Sequence, residues 1–151
     1  MITVVHNHKL RVPFALVLFF FLLSQACTSE QKYASPTIVG SDVVVELSSL
    51  QPETPRFFTY HYNSKNINFF VLRLNTGVRS YLDACASCYP QKRGYRCEDG
   101  SVVCGACGLK FSIYKLEKGL GSCYPIKIDG RTEKDKYLIP VALLETQAGK
   151  F

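Results

Sequence analysis

Six of the seven cysteines in this 151-residue sequence lie between Cys85 and Cys123, and they form the segment best equipped for chemistry. Cys85-Ala86-Ser87-Cys88 and Cys104-Gly105-Ala106-Cys107 are two CxxC pairs with 15 residues between them. That is the short edge of the spacing used by two-knuckle tetrahedral metal sites. A two-residue gap lets both thiolates of one turn face a single ion, and the longer loop brings the second pair from the opposite side. Gly105 and Gly108 bracket the second turn, where positive φ and close approach of backbone N–H groups to sulfur are expected. Cys123 follows Gly119 and Gly121 and precedes Pro125, so it occupies a further tight loop. Asp99-Gly100 is a two-residue hairpin signal that pairs Tyr95 with Cys104 and Cys97 with Val102. Cys97 is then the diagonal neighbour of Cys104, about 7–8 Å away. It is near enough to line the same site as an extra thiol, but too far for a disulfide without backbone movement.

Other chemistries compete for these thiols. An exported chain would meet an oxidising compartment, where structural disulfides form. A redox-active CxxC normally stands alone at a helix start, whereas here there are two in a β context. Haem attachment needs a histidine after the pair, and Tyr89 and Gly108 stand there instead. Four thiolates suit an iron–sulfur cluster, a single iron or, alternatively, zinc. Iron would make the site redox-active and zinc would make it structural. The readings are therefore a metal-binding protein, an interaction module stapled by zinc or disulfides, and a thiol–disulfide oxidoreductase. His61, the one histidine outside the N-terminal segment, alternates with Tyr60 and Tyr62 and reads as an exposed strand residue. Asp83, two residues before Cys85, is placed to accept backbone N–H bonds that shape the first knuckle. No carboxylate pair has hydrolase spacing, so no catalytic residue is assigned.

The surrounding chain must hold this segment. Lys9 and Arg11 precede an apolar run from Val12 to Leu23, too short to span a bilayer and suited to a signal peptide over residues 1–26. Ser24-Gln25-Ala26 followed by Cys27 resembles a lipobox, which makes Cys27 the expected lipidation site and places the rest in the cell envelope. Cleavage there removes Lys9 and Arg11 and no acid, leaving 16 basic against 12 acidic side chains. These are scattered, with no basic stripe interleaved with aromatics, which argues against nucleic acid. Residues 27–40 are polar and read as a tether. Residues 41–151 read as one small domain, mainly β and antiparallel, with a Cys-rich subregion like a zinc ribbon or rubredoxin. Val43-Val44-Val45 is a short strand. Arg56 to Tyr62, Ile67 to Leu74 and Val78 to Leu82 alternate in polarity between tight polar turns and form a meander. Tyr137 to Leu144 reads as a last strand and a helical turn.

Several pieces in one order resemble a known family: Phe57-Phe58-Thr59-Tyr60, Phe69-Phe70-Val71-Leu72, Leu82-Asp83-Ala84-Cys85-Ala86-Ser87-Cys88, Gly94-Tyr95, Val103-Cys104-Gly105-Ala106-Cys107-Gly108, Gly121-Ser122-Cys123-Tyr124-Pro125-Ile126 and the terminal Tyr137 to Glu145. Together they are similar to the FtrD-like membrane iron–sulfur protein domain of bacterial membrane proteins associated with ferrous iron uptake. The resemblance implies an iron–sulfur or iron site on Cys85, Cys88, Cys104, Cys107 and Cys123. It also implies a part in iron handling or envelope electron transfer beside an iron-uptake or respiratory membrane partner. Tyr124 stands where asparagine is usual in that domain, and Cys97 is an added thiol. Larger members carry a multi-spanning part; here the expectation is a lipid anchor in its place, and an electron carrier or accessory protein in place of a transporter or catalyst.

Overall fold

The computed structural model describes residues 33–151; the expected signal peptide over residues 1–26 and the expected lipidation site Cys27 lie outside them. Eleven strands form three antiparallel sheets among the described residues. The central one is the expected meander, β3 (Arg56–Tyr62), β4 (Lys65–Leu74) and β5 (Gly77–Cys85), with β9 (Pro125–Ile128) added beside β5. Its first turn is Asn63-Ser64, both in the left-handed region at φ 46° and 59°, closing Tyr62 onto Lys65.

Strand alternation gives this sheet two apolar faces. Phe58, Tyr60, Ile67, Phe69, Val71, Leu82 and Ala84 point one way. There they meet a second sheet, in the order β1 (Thr37–Val39), β2 (Asp42–Glu46), β11 (Lys136–Pro140), β10 (Arg131–Glu133). Val43, Val45, Tyr137 and Ile139 supply its inner side. A short helix, α1 (Val141–Glu145), adds Leu144. Phe57, Phe70, Leu72, Leu74, Tyr81 and Cys85 point the other way, onto the cysteine-rich segment. That segment folds as β6 (Tyr95–Glu98), β7 (Ser101–Cys104) and β8 (Lys110–Ser112). The central sheet is thus covered on both faces, which explains why β4 reads as a nearly continuous apolar run.

Two features depart from the sequence reading. The polar stretch expected to be a tether as far as Gly40 is part of the fold from Tyr33 onward. Ala34 bridges to Phe58, β1 pairs with β2, and the Tyr33 hydroxyl donates to Asp83 at 2.6 Å. Backbone pairing and one buried acceptor hold this segment without an apolar run of its own. The second departure is β9, an edge strand that opens on a proline. Proline is tolerated there because its missing N–H is not needed by a further strand. Pairing of Cys85 with Pro125 across β5 and β9 carries Cys123 to the end of β5.

Phe69 and Phe70 are both fully buried, on opposite faces of β4. Truncating either to alanine is expected to cost about 3–5 kcal/mol in chemical denaturation. Only Phe70→Ala should also weaken metal retention. Equal retention by the two variants would mean that the central sheet does not brace the cysteine segment.

Candidate metal centre

The hairpin between the two CxxC turns has the register its Asp99-Gly100 turn predicts, with Tyr95 opposite Cys104 and Cys97 opposite Val102. Both turn residues are left-handed, at φ 45° and 68°. Its far end is therefore fixed relative to its near end, and Cys104 enters the core beside β5. The sulfurs of Cys85, Cys88, Cys104 and Cys123 all lie within 4.8 Å of one another. Cys85 and Cys123 are 3.0 Å apart, and Cys107 adjoins the group 3.3 Å from Cys123. All six cysteines of the described residues are free thiols. Cys123 rather than Cys107 thus completes the compact quartet, with Cys107 as a fifth, exposed sulfur beside it. Cys97 is exposed on β6 and is not among the convergent sulfurs, so the structure does not bring it to the site as the sequence suggested.

Each CxxC turn aims backbone amides at its first sulfur. Burial alone would raise the Cys85 thiol. The hydrogen bond from Cys123 and the amides of Cys88 and Ser87 reverse this and hold it down at about 6. Cys104 receives the amides of Cys107 and Ala106, yet burial dominates and its thiol is raised. Burial also pushes Cys123 up, as the donor to Cys85 and Cys107, while Cys88 is pushed up to about 12 by burial and then by Cys85 and Cys107. Binding a cation would require these thiols to give up their protons.

The glycines act differently from one another. Gly108 is left-handed at φ 73°, as the turn demands. Gly105 lies outside that region; a Cβ there would overlap the carbonyl oxygen of Arg93, and its N–H donates to Gly94 O at 2.8 Å. Gly94 combines both constraints, at φ 54° with its Cα hydrogens against the Asp83 carboxylate.

Asp83 is 4% exposed and sits on the same face of β5 as Cys85. Its Oδ1 accepts the Tyr95 N–H at 2.6 Å and its Oδ2 accepts the Tyr33 hydroxyl at 2.6 Å. Burial raises its pKa to about 6 against these two bonds. The sequence suggested a backbone acceptor here; the partner turns out to be the start of β6, and Tyr33 escaped notice because it is one aromatic in a polar stretch. The Tyr95 hydroxyl is buried with no hydrogen-bond partner in good geometry among the described residues. It faces the Cys85 sulfur, and burial followed by that neighbour raises its pKa strongly. A buried donor turned toward a sulfur, an all-thiol donor set and amides converging on both knuckles fit a thiolate-bound metal. His61 is exposed and bonds Asn66 at 2.8 Å, taking no part.

A family model described as membrane iron-sulfur containing protein FtrD-like matches residues 50–151. No curated protein and no solved structure matches the chain. Among the described residues no helix is long and apolar enough to cross a membrane.

Asp83→Ala strands the Tyr95 N–H and the Tyr33 hydroxyl, at an expected cost of about 1–3 kcal/mol. Asp83→Asn keeps the acceptor for Tyr95 and should cost less. Denaturant midpoints for the two variants and the parent protein measure this, and an unchanged midpoint for Asp83→Ala would contradict it.

Proposed function

The chain belongs to the FtrD-like family of membrane iron–sulfur proteins, and from that premise we propose that it is an envelope electron carrier. In this reading its cysteine centre holds iron, as a cluster or a single ion, and serves an iron-uptake or respiratory membrane partner. The observation that carries the reading is the convergence of Cys85, Cys88, Cys104 and Cys123 within 4.8 Å. Iron bound by thiolates supplies a one-electron couple whose potential responds to hydrogen bonds at sulfur and to burial.

The protein's own part is to bind, shield and expose. The ligands are drawn from Cys85, Cys88, Cys104, Cys107 and Cys123. Cys85, Cys104 and Cys123 are buried and keep water from one side. The Tyr95 hydroxyl is available to donate to the Cys85 sulfur, which stabilises added negative charge there. Cys107 reaches the surface, and the large apolar side chains Leu109, Leu120 and Tyr124 are exposed near it in sequence and through the pairing of Leu120 with Cys123. Such an apolar margin around an exposed ligand suits brief docking of a redox partner. A lipid on Cys27 would keep the domain at the membrane, facing the periplasm or the exterior.

Anaerobically purified protein should show visible thiolate-to-iron absorption, with iron by elemental analysis. Cys123→Ser should bleach it, Cys107→Ser should alter it less, and Cys97→Ser should leave it intact. A colourless protein that carries zinc, or one with no metal, would overturn the electron-carrier reading.

The anchor is tested separately. Mass spectrometry of the native N-terminus should find a diacylglyceryl-modified Cys27, and an unmodified terminus or an intact leader would remove the anchor.

A further inference from the structure

A cavity of about 510 Å³ opens against Cys85, Cys88 and Cys104, and neither Cys107 nor Cys123 lines it. Its size is that of a small-molecule site, which runs to about 300–1,000 Å³. Three separate stretches of chain bring cations to it. Lys65, at the start of β4, is tied to the C-terminal turn through Ala148 O at 2.8 Å, and Lys150 of that turn lies over the Tyr89 ring at 5.5 Å from its centroid. Lys92 and Arg93 come from the loop after the first knuckle. There Lys92 N donates to Tyr89 O at 2.9 Å and the left-handed backbone of Lys92 turns the chain.

Apart from the thiolates of Cys85, Cys88 and Cys104, these charges have little to balance them. Among the described residues the basic partners in ion pairs are Arg79, Arg96, Lys110, Lys127, Arg131 and Lys136, none of which lines the cavity. Asp83 is the one acidic side chain in the lining, and both its oxygens are taken by Tyr33 and Tyr95. Asn66 and Asn68 also line it; their carbonyl oxygens are engaged by His61 and Thr59, which leaves their amide N–H groups as donors. The lining is therefore rich in donors and positive charge, with Lys65 and Lys150 as one group of cations and Lys92 and Arg93 as the other. A single compact anion would satisfy one group of cations. A ligand with two or more anionic groups on one carbon skeleton would satisfy both.

We propose that this cavity binds a small di- or tricarboxylate, free or as its iron chelate, against the edge of the cysteine centre. The binding does not depend on electron transfer and stands apart from that reading. A chelate held here would rest its metal beside Cys88, the half-buried sulfur of the lining.

The test is calorimetric titration of the full-length protein, metal included, in detergent, with citrate, ferric citrate and inorganic phosphate as probes. Saturable binding of citrate or ferric citrate is expected, weakened by salt. It should fall about tenfold or more in Lys92→Glu/Arg93→Glu, as loss of two charge-assisted contacts implies. Both side chains are exposed, so metal content and visible absorption should be unchanged; Lys65→Gln, in the other group of cations, should weaken binding as well. Tighter binding of ferric citrate than citrate identifies the chelate as ligand, and the reverse identifies the free acid. No binding of either carboxylate, equal binding of phosphate, or an affinity untouched by both variants would overturn the proposal. So would variants that lose metal while carboxylate affinity is kept, since the cations would then serve only to balance the thiolates.

Discussion

The cysteine centre depends on one buried carboxylate. Asp83 joins three stretches of chain that are separate in sequence: the N-terminal segment through Tyr33, the central sheet through its own place on β5, and the metal hairpin through the Tyr95 N–H. A buried carboxylate is costly unless its oxygens are engaged, so the arrangement tolerates little displacement of any of the three. Gly94 packs directly on it, and Gly105 packs on the neighbouring Arg93 carbonyl. The position of Cys104 relative to Cys85 therefore follows from a chain of backbone contacts that begins at Asp83. The thiols are brought together by the fold, and a metal would bind sulfurs already close to one another.

The aromatic ladder behind the carboxylate does the same by packing. Phe70 stacks on Tyr81 with ring centroids 5.4 Å apart, and its edge contact with Tyr95, at 6.2 Å, carries the core of the central sheet into the hairpin. Tyr95 continues to Phe111 on β8 at 6.3 Å. Its hydroxyl ends at the Cys85 sulfur, so one side chain is core on one side and part of the metal environment on the other. This dual duty explains how a segment with short strands and many glycines stays fixed: its aromatics are shared with a sheet that is apolar on both faces.

Much of this was legible in the sequence where the signal is local. Alternation from Arg56 to Leu82 sets out the meander, and Asp99-Gly100 fixes the hairpin register that puts Tyr95 opposite Cys104. Two CxxC turns announce a thiolate site. What escaped depends on partners distant in sequence. β9 begins with Pro125 and makes sense as a strand only beside the end of β5; Cys123, already implied as a ligand by the family resemblance, reaches the quartet through that pairing. Tyr33 and β1 gave no apolar run to mark them, because a hydroxyl on a buried acceptor holds as well as a packed side chain. The glycines were the subtlest case: Gly108 serves its turn through φ, whereas Gly105 serves by having no Cβ to strike Arg93, a requirement that only the folded neighbour reveals.

The early start of the fold would also limit the distance to any lipid on Cys27. Tyr33 is fastened to Asp83, and it stands six residues after Cys27 in the sequence. Six Cα–Cα steps reach about 20 Å at full extension, less than the diameter of the domain they would hold, which for a compact body of this size is about 30 Å. Such a domain could tumble against the lipid surface but could not reach far into the compartment beyond it. Under the proposed reading, electrons and any bound anion would then be exchanged with partners lying in or on the same membrane.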